Sequence, residues 1–144
     1  MIYADTSCLL KVLRPEPLSE AVWNAVHQES LVVVSALVEL ETLVQLKAEW
    51  MGGRLTRNQW RQTQARFGIL KNHPPFEFRA LSGGVFRIAL RQHRNSGERH
   101  CRSIDRLHLA AMEELMLARL LTHDKAQAKA AIEAGFEVLR PGQA

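Results

Sequence analysis

Met1-Ile2-Tyr3-Ala4-Asp5-Thr6-Ser7 opens the chain, and a short apolar run that breaks off at an acid sets the reading of everything after it. The run is followed by Leu9, Leu10, Val12 and Leu13 at helical spacing, and Pro15 ends that pattern. The spacing predicts a buried strand feeding a helix, with Asp5 at the strand's carboxyl tip. A strand, helix, strand order emerges at once. Ser19 is placed to cap a helix carrying Ala21, Val22, Ala25 and Val26, and Leu31–Val34 is a β-branched run short enough for a second buried strand.

Ser35 caps a long helix to about Met51, closed by Gly52-Gly53, and Glu41 falls in its second turn. A helix from Thr56 to about Lys71 is expected to send Trp60, Phe67 and Leu70 into the core, before Asn72-His73-Pro74-Pro75 breaks the chain. Phe76–Leu81 is ambiguous between strand and coil. Val85, Ile88, Ala89 and His93 mark another helix, ending at Asn95-Ser96-Gly97. Ser103 is expected to cap the next, with Asp105 in its first turn and Ile104, Leu107, Ala110, Ala111, Leu115 and Leu117 on its apolar face. Leu117–Leu121 reads as a strand ending at Thr122-His123-Asp124, Lys125–Ala134 as a helix closed by Gly135, and Phe136–Leu139 as the last strand. Alternating strands and helices imply a mainly parallel sheet covered on both faces, a three-layer α/β/α sandwich, with residues 1–144 forming one domain.

Within that frame Asp5, Glu41, Asp105 and Asp124 each lie inside or beside an apolar stretch. An ionised carboxylate moved into the interior without a partner either carries a penalty of several kcal/mol or protonates. Four such groups make sense around a hard divalent cation, because oxygen ligands suit Mg²⁺ and Mn²⁺. In open parallel sheets ligands collect beyond the carboxyl ends of the strands, where Asp5 and Asp124 are expected. Helix N-termini favour the charged form of an acid, which suits Asp105.

Composition bounds the partners. The chain has 144 residues with 47% apolar and 24% charged, enough for a core and too few charges for disorder. It has no basic leader followed by an apolar segment and no run of about 18 apolar residues, so a cytoplasmic protein with no membrane association is expected. Cys8 and Cys101 are far apart and outside any metal-ligand spacing, which predicts buried free thiols. The net charge is +4, and 14 of the 19 basic residues are arginine, whose planar fork pairs with phosphate. Arg87, Arg91 and Arg94 share one helical face, Arg99, Arg102 and Arg106 continue the basic stretch, and Arg54, Arg57, Arg61 and Arg66 form a second group. Each is open to two readings, a solvated face or a contact to a polyanion. The nine aromatic residues form no array for stacking bases.

Four blocks in this order carry a resemblance: Ile2-Tyr3-Ala4-Asp5-Thr6-Ser7, Ser35 with Glu41 six residues on, Arg102-Ser103-Ile104-Asp105-Arg106-Leu107-His108-Leu109-Ala110, and Leu121-Thr122-His123-Asp124-Lys125. Together they resemble the PIN-domain ribonucleases, particularly the VapC-type toxins of bacterial toxin–antitoxin pairs, and Gly135-Phe136-Glu137-Val138-Leu139 is similar to that family's closing strand. The resemblance implies a PIN-like sandwich in which Asp5, Glu41, Asp105 and Asp124 are the catalytic, metal-binding acids. Thr6, Ser7 and Thr122 would orient carboxylates or water. It further implies Mg²⁺ or Mn²⁺ as cofactor, RNA as substrate, endonucleolytic cleavage leaving a 5′-phosphate, a homodimer, and a VapB-like antitoxin that inserts a segment into the acidic cleft.

Some positions compete or depart. Glu39 lies two residues from Glu41 on nearly the opposite helix face, so only one can point at the site, and the family spacing selects Glu41. Arg106 replaces the small residue expected after the acid, and with Arg91, Arg94 and Arg102 it is a candidate RNA contact. His108 is expected to be a satisfied structural histidine rather than a general base. Two other functions stay open: a haloacid-dehalogenase-like phosphatase with Asp5 as nucleophile, for which Ser7 stands where a second Asp is wanted, and a non-catalytic RNA-binding or protein-interaction module. A role in RNA processing rather than in a toxin pair would use the same chemistry.

Overall fold

A computed structural model describes residues 1–143. Five short strands form its centre: β1 (Ile2–Ala4), β2 (Val32–Ser35), β3 (Phe76–Arg79), β4 (Arg119–Leu121) and β5 (Glu137–Leu139). All four pairings are parallel, in the order β3-β2-β1-β4-β5. Ile2, Tyr3 and Val32 to Val34 are fully buried, which is why these strands read as continuous apolar runs: a parallel sheet is covered on both faces.

Seven helices supply the cover: α1 (Thr6–Leu13), α2 (Ser19–Gln28), α3 (Ala36–Met51), α4 (Arg57–Leu70), α5 (Val85–Asn95), α6 (Ser103–Glu114) and α7 (Lys125–Glu133). The chain steps outward from β1 to β2 to β3, then returns past β1 to β4 and β5. Right-handed crossovers therefore put α1–α4 on one face and α5–α7 on the other, and the helix packing follows that division, α1 against α2 and α3, α5 against α6, and α6 against α7. Because a connection between parallel strands must run back along the sheet, helices α1, α3, α6 and α7 all begin at its carboxyl edge. The reversal of strand order lies between β1 and β4, which opens a crevice there.

Several local expectations give way. Ser19 and Ser103 are the first helical residues rather than caps; the N-cap positions belong to Leu18, at φ 71°, and to Arg102, neither making a side-chain cap bond. Ser19 instead accepts from the Glu16 amide and donates to the Arg14 carbonyl, so its hydroxyl fastens the loop. Trp60 is only half-buried: its ring stacks on Trp50, 4.1 Å between centroids, outside the core that takes Phe67 and Leu70. Leu117 is buried beyond the end of α6, after a turn in which Met116 has φ 59°. Phe76–Arg79 resolves as a strand, while Leu31 and Leu117 lie outside the strands expected to contain them. Cys8 is buried, but Cys101 only partly so. Among the described residues no helix is long and apolar enough to cross a membrane.

Candidate active site

Each acid reaches the carboxyl edge by a local device. Asp5 follows β1 and caps α1, accepting from the Cys8 amide at 3.3 Å. Asp124 follows β4 by three residues and caps α7, accepting from the Ala126 and Gln127 amides at 2.8 and 3.0 Å. Asp105 is the third residue of α6, and Glu41 the sixth of α3, whose N-cap Ser35 accepts from the Val38 amide. Asp side chains at caps satisfy amides that would otherwise lack partners, so sequence position and helix start reinforce each other. All four line one cleft of about 320 Å³, together with Thr6, Ser7, Lys11, Arg14, Arg102 and Gln127 among others. Glu39 points elsewhere, to the Lys71 ammonium at 2.6 Å.

Like Asp105 at 3%, Asp5 is buried, 4% exposed. Ser7 donates to its Oδ1 at 2.6 Å and Thr122 to its Oδ2. Burial pushes its carboxyl above the ordinary range, and the Ser7 and Thr122 hydroxyls recover part of that. The hydroxyls are themselves fixed, since the His123 amide donates to Ser7 Oγ and the Asp124 amide to Thr122 Oγ1. Asp124 differs. Burial raises its carboxyl, but the Gln127 amide, the Arg102 guanidinium and the Ala126 amide outweigh that and leave it below the ordinary value.

Glu41 is held from two sides, by the Thr6 hydroxyl at 3.2 Å and by His108 Nε2. His108 Nδ1 lies 2.8 Å from the Tyr3 hydroxyl, which lies 2.7 Å from Ser35 Oγ. A carboxylate only accepts, so Nε2 carries the hydrogen; with the imidazole neutral, Tyr3 then donates to Nδ1 and accepts from Ser35. Every donor in this buried chain has a partner, and burial holds the Tyr3 phenol far above its usual range. Both ring nitrogens of His108 are thus satisfied inside the protein.

Arg102 spans the other two acids. Its Nε donates to Asp105 Oδ2 at 2.7 Å and its Nη2 to Asp105 Oδ1 at 3.0 Å and Asp124 Oδ2 at 3.2 Å. These contacts, Asp105 foremost, raise its own pKa. Among the described residues no three His, Cys, Asp or Glu side chains stand close enough, as placed, to hold one ion. The donor set nevertheless fits a hard dication: carboxylates and hydroxyls converge on one cleft, and buried Gln127 Oε1 at its wall has no hydrogen-bond partner. Gln127 escaped the sequence reading, because one glutamine in an alanine-rich helix carries no periodic signal.

The other candidate arginines divide. Arg91 pairs with Glu113, and Arg106 Nη1 donates to Gln92 at 3.3 Å, so both have partners on their own face; Arg87 and Arg94 are exposed. Arg57 lies over the Trp50 ring, and Arg66 donates to the Leu13 carbonyl.

The PIN domain family model matches residues 2–133. No curated protein sequence matches the chain. Among solved structures, the Mycobacterium tuberculosis VapC20 toxin, which cleaves the sarcin-ricin loop, superposes with a TM-score of 0.71 at 18% identity, covering 98% of this chain and 100% of that one. FitAcB from Neisseria gonorrhoeae gives 0.70 at 19% identity over the whole of both chains. VapBC2 from Rickettsia felis, bound to a fragment of its promoter DNA, gives 0.69 at 14%, covering 96% and 98%.

Proposed function

The chain belongs to the PIN domain family, and from that premise we propose that it is a Mg²⁺- or Mn²⁺-dependent endoribonuclease, the toxin half of a VapBC-type toxin–antitoxin pair. The observation that carries the reading is the gathering of Asp5, Glu41, Asp105 and Asp124 in one cleft at the carboxyl edge of the sheet. Acids so placed repel one another until a cation joins them.

Asp5, Asp105, Asp124 and Glu41 would hold the metal. A divalent cation, when bound, lowers the pKa of water and offsets the charge that builds on a scissile phosphate. The chain's own contribution is to keep its acceptors in place. Ser7 and Thr122 hold both oxygens of Asp5, the α7 amides hold Asp124, and Thr6 and His108 hold Glu41. Lys11 lines the cleft, where its ammonium can meet the flanking backbone of RNA. Exposed Arg87 and Arg94 would extend that contact, and RNA binding should weaken as salt rises.

An antitoxin partner is supported by the fold shared with FitAcB and VapBC2. Surface chemistry agrees. Leu40 and Val44 stand 61% and 59% exposed one turn apart on α3, and Phe86 and Leu90 stand 60% and 52% exposed on α5. Apolar groups of that kind are what an antitoxin or a second copy in a homodimer would cover. The phosphatase alternative loses its footing with the family.

Purified protein should cut RNA with Mg²⁺ or Mn²⁺ and stop when EDTA is added. Asp5→Asn should abolish cutting with the far-UV circular dichroism unchanged. Cutting that survives Asp5→Asn would overturn the reading, and RNA bound but never cut in either metal would favour a binding module.

A further inference from the structure

Arginine is a poor choice for the residue that starts a helix. It offers no acceptor to the free amides and brings a positive charge to the positive end of the dipole. Arg102 nevertheless occupies the N-cap of α6 without capping it. Its guanidinium turns instead across the cleft, taking both oxygens of Asp105 and one of Asp124.

A count of acceptors shows what this does to the site. Asp5 gives Oδ1 to Ser7 and the Cys8 amide, and Oδ2 to Thr122. Asp124 gives Oδ1 to the α7 amides. Asp105 Oδ1, Asp105 Oδ2 and Asp124 Oδ2 are the three remaining aspartate oxygens, and Arg102 takes all of them. Its planar fork matches one carboxylate side-on and reaches the next, which an ammonium cannot do. The other arginine of the cleft, Arg14, is held by Glu16 and Glu49. Arg102 is also free to leave, because its side chain is 58% exposed while Asp105 is 4% exposed. Water can take the guanidinium at little cost; it cannot reach the carboxylate as easily.

We propose that Arg102 is an internal counter-ion that occupies the acidic cleft in the metal-free protein and competes with the dication for Asp105 and Asp124. It holds those two acids together against their repulsion, and it must swing into solvent before a metal is bound. The residue thereby sets the cation concentration at which the site fills. This inference rests on the proposal that the cleft takes a divalent metal.

The test is Mn²⁺ binding to the full chain, followed by isothermal titration and by the loss of the free-ion electron paramagnetic resonance signal, with no RNA present. Arg102→Met removes the charge and keeps the apolar stem; Arg102→Lys keeps the charge without the fork. Removing a unit charge that faces the ion should tighten Mn²⁺ binding about tenfold or more in Arg102→Met, with Arg102→Lys between it and the wild type. Metal-free Arg102→Met should melt below the wild type, and saturating Mn²⁺ should close that gap. Equal or weaker Mn²⁺ binding in Arg102→Met and Arg102→Lys, with the wild type still binding, would overturn the competition while leaving the metal site intact. Absence of Mn²⁺ binding in all three proteins would overturn the metal-dependent function and this inference with it.

Discussion

Removing the Tyr3 hydroxyl tests the buried chain that runs from the central strand to Glu41. In Tyr3→Phe the ring stays in the core and the oxygen is lost, leaving a void too small to hold water. Two hydrogen bonds go with it, at 2.7 Å to Ser35 and 2.8 Å to His108. Tyr3 and Ser35 are 0% exposed and His108 is 4% exposed, so solvent cannot replace the missing partner. A buried hydrogen bond contributes about 1 kcal/mol net, and a stranded polar group costs about 1–3 kcal/mol, so the variant should lose about 2–3 kcal/mol. For a chain of this size that is a fall in melting temperature of roughly 4–10 °C. Urea unfolding followed by circular dichroism should show a lower midpoint at unchanged slope. The functional consequence is separate. Without the donor at Nδ1, His108 is no longer fixed with Nε2–H toward Glu41, and loss of such an outer contact lowers metal affinity or activity by about 10–100-fold. A stability change under about 0.5 kcal/mol would refute the hydrogen-bond assignment. Full RNA cleavage in a destabilised variant would refute the link to Glu41.

The remaining predictions use other parts of the molecule. Glu39→Ala removes an exposed pair with Lys71 and should change stability by less than about 1 kcal/mol with RNA cleavage intact, whereas Glu41→Ala should abolish cleavage; equal effects would show that the helix face was misassigned. His123 donates Nε2–H to the Pro141 carbonyl at 2.7 Å, its Nδ1 is buried without a partner, and burial lowers its pKa below the ordinary 6.5. The unfolded chain therefore binds the proton first, so this stabilising contribution is present above pH 6.5 and is lost as pH falls from there toward the folded value. His123→Asn should flatten that limb of a urea-midpoint profile, and an unchanged profile would count against it. Burial raises the Cys8 thiol well above its usual range, so iodoacetamide at pH 8 should label Cys101 in the native protein and Cys8 only after unfolding; rapid native labelling of Cys8 would contradict its burial.

Periodicity and helix caps act over a few residues, and for that reason the alternation of strands and helices is readable in the sequence. Asp5, Glu41, Asp105 and Asp124 were legible on the same grounds, because each interrupts an apolar pattern at a helix start or one turn in. The errors were equally local in kind. Ser19 and Ser103 have the right chemistry for caps, yet a one-residue shift gave the N-cap positions to Leu18 and Arg102. Trp60 has core character but found a partner in Trp50 outside the core.

Sequence order alone determined that a parallel sheet forms and that Asp5 and Asp124 lie at its carboxyl edge, since strand and helix signals are short-range and the crossover rule converts their order into topology; that Glu41 and Asp105 share their cleft was decided by the folded chain. Partner choice among side chains needed the folded chain. Tyr3 meets His108 across 105 positions and His108 meets Glu41 across 67, and Arg102, whose contact to Asp105 on its own helix is local, also reaches Asp124 because the switch between β1 and β4 brings the N-termini of α6 and α7 together. Such pairings depend on distances no local pattern encodes, and they decide whether an acid in the cleft is held by a hydroxyl, an imidazole or a guanidinium.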